Sequence, residues 1–235
     1  MNLLAFDTST EFMSVAVQRR VDGAEQVWQH TGAGGARTSA TLIPTIEHLM
    51  AQAQLAYGQL EAIVFGNGPG SFTGLRTACA VAQGLAFGAA LRVLPVDTLL
   101  ALAEQARWQQ ARALQRWQVV ALLDARMDEM YAASYQFEDG QWTRIGHCHL
   151  TRPEDLLCEA DCALAGNVFA AYGARLPLAM TQRVDALPTA GAMLRLAPAL
   201  LAAGGALPPE QALPLYVRDK VAQTTLERAA QRTAP

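Results

Sequence analysis

Two short segments of this chain carry residue types that could contact a phosphate group. The first is a polar turn directly after an apolar run, and the second is the glycine-rich stretch 66–74. The candidates are Asp7, Thr8 and Ser9 in the first segment, and Gly68, Gly70, Ser71 and Thr73 in the second. Glycines let a backbone approach a ligand closely, and a helix that follows them attracts anions. The alternative is a rigid turn in which Ser71 or Thr73 caps that helix and Asp7 binds turn amides.

Other familiar site patterns are missing from the sequence. No Lys-Ser/Thr pair follows the glycines, so this is not a Walker loop, and their alternate spacing does not fit a dinucleotide-binding motif. No HxxxH is present. The ligand-rich residues His147, Cys148, His149, Cys158 and Cys162 fit no standard zinc spacing. We therefore expect no metal site and no catalytic residue.

The elements that position these segments form a repeated pattern of strands and helices. Segments 3–18 and 121–136 each begin with an apolar strand that ends at an aspartate, Asp7 or Asp124. A polar turn follows, and a methionine six residues after the aspartate opens a second strand. IVFGN at 63–67 and ALAGN at 163–167 extend the match. Strands are also expected at 26–30 and 92–96, and helices at 41–55, 75–87 and 98–114. Alternating strands and helices predict an α/β fold with two duplicated lobes, each a mixed sheet flanked by helices.

Two of the predicted helices have faces that could bind another protein. In the helix from residue 74, small residues recur every four positions, and a second small row contains Ala80, Gly84 and Gly88. Small rows allow close helix packing, and a core helix within one lobe is the alternative. The predicted interface contains Leu42, Ile43, Ile46 and Met50 in the first helix, and Phe72, Leu75, Ala78, Ala82, Leu85 and Ala86 in the second.

The composition indicates a protein that does not hold nucleic acid alone. Charged residues make up 17% of the 235 residues and the net charge is −3, whereas phosphate binding requires a basic surface. Four irregularly spaced cysteines suit a reducing compartment. The N-terminal residues do not resemble a signal peptide, and no run approaches the length of a membrane span. We expect a cytoplasmic protein.

Several motifs in the same order resemble the bacterial TsaB (YeaZ) family. They are LLAFDTST (3–10), NGPGSFTGLR (67–76), VAQGLAFG (81–88), LLDARMDEMYAA (122–133) and PLYVR (214–218). The resemblance implies the fold of actin, Hsp70 and sugar kinases (ASKHA). The expected lobes are 1–112 and a smaller, degenerate 113–235, whose C-terminal segment packs back on the first lobe. Many relatives carry a histidine where this chain has Arg37-Thr38-Ser39.

The resemblance also implies a function and a set of partners. Such proteins take part in forming N6-threonylcarbamoyladenosine in the anticodon loop of tRNAs, as non-catalytic partners of the paralogous subunit TsaD and of the ATPase TsaE. Alone they form homodimers, and they meet tRNA only through the complex. No cofactor is expected on the isolated chain, with ATP or ADP at the partner interface. The alternative is a free-standing ASKHA ATPase or phosphotransferase.

Overall fold

A computed structural model describes residues 1–158, 162–177 and 182–218. The strands are β1 Leu3–Asp7, β2 Phe12–Val21, β3 Ala24–Ala33, β4 Ala62–Gly68, β5 Val93–Asp97, β6 Arg116–Arg126, β7 Glu129–Glu138, β8 Gln141–Thr151, β9 Ala163–Gly166 and β10 Arg183–Asp185. The helices are α1 Thr38–Gln52, α2 Phe72–Ala89, α3 Thr98–Gln110, α4 Phe169–Tyr172 and α5 Ala190–Ala202.

The ten strands form two five-stranded sheets with the same topology. The first has the order β3-β2-β1-β4-β5 and the second β8-β7-β6-β9-β10. In both, the first three strands pair antiparallel and the last two are added in parallel. The mixed, duplicated sheets predicted from the sequence are therefore confirmed.

The two first hairpins differ in register by one residue. Asp7 pairs with Ser14 in the first sheet, whereas its counterpart Asp124 pairs with Met130 in the second. The second hairpin also has a register shift between Asp124 and Arg126, and a bulge of this kind adds one residue to one strand of a pair. The duplicated hairpins are similar in sequence but not identical in geometry.

The helices separate the two sheets and cover the outside of the first. On β1, Leu4 and Phe6 face a core shared with α1 and α2, whereas Leu3 and Ala5 face α5 on the opposite side of the sheet. This alternation is the period-two pattern of a strand buried on both faces. The outer face of the second sheet has no long helix on it within the described residues. It is covered by the four-residue α4 and by short segments around Leu156, Val168 and Leu176.

α3 and α5 each pack on the sheet of the other lobe, not on the sheet that they follow in the chain. α3 follows the last strand of the first sheet, yet its residues Leu99, Leu102 and Ala106 pack in the core of the second. α5 follows the last strand of the second sheet and packs with Met193 and Leu194 on the first. The expected boundary at residues 112/113 falls after α3. Residues 207 and 215 also bond to the first lobe, while 219–235 lie outside the described residues.

Several predicted helix boundaries differ from the structure by a few residues, and α2 covers Phe72–Ala89 rather than 75–87. α1 begins at Thr38 rather than at residue 41, so Pro44 lies inside the helix and not in its first turn. α3 ends at Gln110 instead of near residue 114. Among the helices of the described ranges, none combines the length and the apolar character that a bilayer crossing requires.

Candidate functional site

A cleft of about 440 Å³ lies between the two lobes. The first lobe contributes the turn after β1 and the glycine-rich loop, and the second contributes the turn after β6 together with Asn167. Residues 215–218 complete the lining. Of the predicted phosphate-contacting residues, Ser9, Gly70 and Ser71 line this cleft. The lining does not include Asp7, Thr8, Gly68 or Thr73.

The glycine-rich loop packs tightly on the turn after β1. The Ser71 amide donates to the Ser9 carbonyl over 2.7 Å, and the Thr8 hydroxyl donates to the Gly74 carbonyl over 2.7 Å. A Cβ atom at Gly74 would lie 1.9 Å from the Thr8 carbonyl oxygen. Ser71 is the N-cap of α2, as one of the two interpretations predicts. These glycines therefore serve close packing within the chain.

Asp7 is sealed beneath this loop, with its residue only 1% exposed. One carboxylate oxygen accepts hydrogen bonds from the Ser9 amide at 3.0 Å and the Ser9 hydroxyl at 2.7 Å. The other is buried without a hydrogen-bond partner among the described residues, and a Cβ at Gly66 would lie 2.0 Å from it. Burial raises the pKa of Asp7 to about 6, against the opposing effect of the Ser9 hydrogen bonds.

The turn of the second lobe is open and has an unusual backbone. Arg126, Met127 and Asp128 have φ angles of 62°, 56° and 64°, in the left-handed region that residues other than glycine seldom adopt. Asp124 lines the cleft, and its amide donates to the Asn167 side chain over 2.9 Å. Asn167 therefore closes a turn here, in the place where the first lobe has its long glycine loop.

Residues 215–218 bridge the two lobes at the cleft. The Leu215 amide donates to the Asn67 carbonyl over 2.6 Å, and the Tyr216 ring lies 5.4 Å from that of Phe72. On the other side, Arg218 donates to Glu129 over 2.5 Å. Residues 215–218 thus contact both sides of the cleft and connect the two lobes.

Most of the predicted partner-interface residues lie in the protein's own core. Their side chains pack between α1, α2 and the first sheet, where a partner cannot reach them. The buried members are Leu42, Ile46, Met50, Leu75, Ala78, Ala82 and Ala86, and Leu85 is partly buried against the same core. Ile43 and Phe72 are exposed by 43% and 38%. We correct the predicted set accordingly: a docking surface here must use Ile43, Phe72 and other exposed residues.

The second small row of α2 supplies such residues. Ala80, Gly84 and Gly88 are exposed, and a Cβ added at Gly84 or Gly88 would meet no atom within 4 Å. Phe87, exposed by 60%, lies beside them. A second helix could approach this face closely. In the segment Arg37-Thr38-Ser39, only Thr38 is buried.

The histidines and cysteines that the sequence analysis considered as metal ligands do not form one cluster. Cys148 packs on the face of the second sheet that meets α3, whereas Cys158 and Cys162 pack on the opposite face. Within the described ranges, no three His, Cys, Asp or Glu side chains form a group that could hold a metal ion.

Two acidic residues that join the lobes, the half-buried Asp97 and the buried Glu104, were missed in the sequence. Asp97 caps α3 and accepts a hydrogen bond from the Tyr135 hydroxyl over 2.8 Å. Glu104, 2% exposed, accepts from Arg107, Trp142 and Arg195. The Asp97-Thr98 pair at the end of a strand is a recognisable N-cap signal, and a single carboxylate among the apolar residues of α3 indicates a buried acid.

The fold and the cleft define the class of the protein. Two copies of one unit, with the strand order β3-β2-β1-β4-β5 repeated and a cleft between their hairpin turns, form an ASKHA-type fold, as expected from the sequence.

Comparisons with known proteins identify the family within this class. The chain is 35% identical to the tRNA threonylcarbamoyladenosine biosynthesis protein TsaB of Haemophilus influenzae, over 94% of this chain and 95% of that protein. It is 32% identical to the TsaB protein of Escherichia coli, over 94% and 96%. The structure of YeaZ from Pseudomonas aeruginosa matches with a TM-score of 0.81 and 37% identity, over 92% of this chain and 99% of that one.

A family model described as "TsaD: tRNA N6-adenosine threonylcarbamoyltransferase" matches residues 30–164. This chain belongs to the TsaB (YeaZ) family, and the resemblance seen in the sequence is confirmed.

Proposed function

We propose that this chain is a non-catalytic subunit that pairs with a TsaD-type protein to form N6-threonylcarbamoyladenosine in tRNA, in the cytoplasm. The names of its relatives support the modified nucleoside as the product, and the match to a transferase model supports a paralogous partner. The proposal includes a TsaE-type ATPase in the complex, a homodimer when the chain is alone, and ATP or ADP only at the partner interface.

The absence of independent catalysis is supported by the first lobe. Asp7, the aspartate at the tip of the first hairpin, directs its free oxygen at Gly66 and not into the cleft. Gly70 and Gly74 allow the loop to pack on Ser9 and Thr8. A phosphate would meet a loop whose amide at Ser71 is already bonded within the chain. Catalysis then belongs to the partner.

The observation that carries the partner role is the exposed small row of α2. Ala80, Gly84 and Gly88 form a strip without bulky side chains, next to the exposed Phe87. Burying such a strip with Phe87 and Ile43 against a partner helix would remove apolar surface from water. The partner's two lobes would be stabilised in the arrangement to which this face binds best.

The test is to fill the small row without disturbing the fold. Gly84→Trp places a large ring where the structure has open space, so the chain should stay folded and its affinity for the TsaD-type partner should fall by ~100-fold. Ala199→Trp is the matched control, because Ala199 is exposed on α5, which packs on the opposite face of the first sheet. Affinity is measured by calorimetry and function by tRNA modification with both proteins. Unchanged binding and modification by Gly84→Trp would refute the docking face.

The cleft favours a second candidate, a free-standing ATPase or phosphotransferase. Its volume of about 440 Å³ is in the range of small-molecule sites, and Ser9, Gly70 and Ser71 line it. Calorimetry of the isolated chain with Mg-ATP distinguishes the two. Turnover by the isolated chain, lost in Asp7→Asn, would replace the partner role with this one.

A further inference from the structure

Two arginines stack on Trp108 at the C-terminal end of α3, and a third, Arg107, packs next to them on the Phe137 ring. The guanidinium carbon of Arg112 lies 3.8 Å from the centre of the Trp108 ring, and that of Arg195 lies 4.5 Å from it. Arg107 precedes the tryptophan and donates to Glu104 over 3.0 Å. Trp108 is 37% exposed. None of these residues lines the cleft between the lobes, so this arginine–tryptophan cluster is a separate surface.

The cluster has more positive than negative charge. Glu104 is the carboxylate that binds Arg107 and Arg195, and it is 2% exposed. Burial lowers the pKa of Arg195, and the charges of Arg107 and Arg112 lower it further, although Glu104 acts in the opposite direction. Glu104 already accepts hydrogen bonds from Arg107, Arg195 and Trp142. An added anion would therefore reduce the repulsion that remains among the arginines.

Arg112 is the member that is available to a ligand. Its residue is exposed, and its guanidinium makes no hydrogen bond or ion pair within the part of the chain that the structure describes. Contact with the Trp108 ring holds it in place by a cation–π interaction. All five of its N–H donors are therefore free to bind a planar or tetrahedral anion in a fork geometry.

We infer that the arginine–tryptophan cluster binds phosphate groups of the tRNA backbone in the assembled complex, an inference that rests on the proposed function. A small anionic ligand normally needs a concave site, whereas a polyanion can lie on an exposed surface. Arginine pairs with phosphate through two parallel hydrogen bonds. Because the whole chain carries a net charge of −3, one local cluster adds to binding by the complex and does not hold tRNA alone.

The experiment measures tRNA affinity of the chain with its TsaD-type partner, by fluorescence anisotropy across a salt series. Arg112→Ala should weaken tRNA binding by about tenfold at low salt and reduce the salt slope by about one. Trp108→Leu should have a smaller effect in the same direction, and Arg112→Lys should restore part of the affinity. Arg20→Ala is the control, because Arg20 is also exposed and its removal changes the net charge equally.

The outcomes separate this inference from the proposed function. Partner affinity is measured for each variant, and it should stay unchanged in Arg112→Ala. Equal tRNA affinity and salt slope for Arg112→Ala, Arg20→Ala and wild type overturn the inference while leaving the partner role intact. Failure of the wild-type complex to bind tRNA overturns it as well. Calorimetry with ATP tests whether the cluster binds a free nucleotide instead. If Arg112→Ala abolishes ATP binding and leaves tRNA affinity unchanged, the inference is overturned in favour of a nucleotide site.

Discussion

The two hairpin turns at the cleft show how one sequence pattern acquires two roles. In the first lobe, the turn after Asp7 is covered by the glycine loop and by the start of α2, and the carboxylate is sealed. In the second, the turn after Asp124 is open, lines the cleft and has three left-handed residues. The residues that lie beside each turn decide its role, and the turn sequence alone does not.

The largest expected effect comes from disturbing the tight packing of the first turn. Gly74→Ala should lower the free energy of unfolding by about 4 kcal/mol, because the new methyl group meets the Thr8 carbonyl, which is backbone and cannot move alone. Gly84→Ala, on the same helix but in open space, should be neutral or stabilising by up to about 1 kcal/mol. Urea denaturation of both variants measures the contrast. Similar unfolding midpoints would mean that the turn is not tightly packed.

A smaller effect, dependent on pH, distinguishes the buried aspartate of the first turn. The pKa of Asp7 is raised from 3.8 to about 6, so between these values the unfolded chain ionises while the folded chain stays protonated. Stability from this group is therefore present below pH 4 and is lost as the pH rises to 6. The free energy of unfolding of Asp7→Asn should therefore rise by about 2 to 3 kcal/mol relative to that of wild type as the pH goes from about 4 to about 6. The free energy of unfolding of both proteins is measured at pH 4, 5, 6 and 7. A difference between them that does not change with pH would contradict this prediction.

The smallest effect concerns the strained turn of the second lobe. Met127 is 62% exposed with a φ of 56°, a conformation that asparagine adopts more easily than methionine. Met127→Asn should raise the free energy of unfolding by about 0.5 kcal/mol. Met127→Val should lower it, because a β-branched residue is disfavoured there. A thermal-melt series that orders the three proteins otherwise would show that the strain is absent.

The sequence predicted the sheets better than the surfaces. The hairpins at 3–18 and 121–136 were visible because strands buried on both faces leave long apolar runs ending in a polar turn. β8 was missed because most of its residues are exposed and its apolar residues show no continuous run. α5 was missed because it follows Pro188 and contains Pro198, which interrupt a helical pattern.

The candidate site was only partly predictable for a related reason. The apolar stripes of α1 and α2 indicate burial, but a stripe does not tell whether the chain's own sheet or a partner buries it. Here the first sheet buries Leu42, Ile46 and Ala82, and the partner candidates are the small residues on the other side of α2. Contacts between distant segments, such as Arg195 with Glu104, leave no local signal at all.

The exchange of α3 and α5 has a consequence for the order in which the protein is made. Leu3, Ala5 and Val64 emerge early from the ribosome, but the helix that shields them, α5, ends at Ala202. Until that helix has been synthesised, the inner face of the first sheet is left without its cover, and such surfaces invite aggregation. The first sheet can therefore close only after α5 has been synthesised, whereas α3, which covers the second sheet, is made before that sheet.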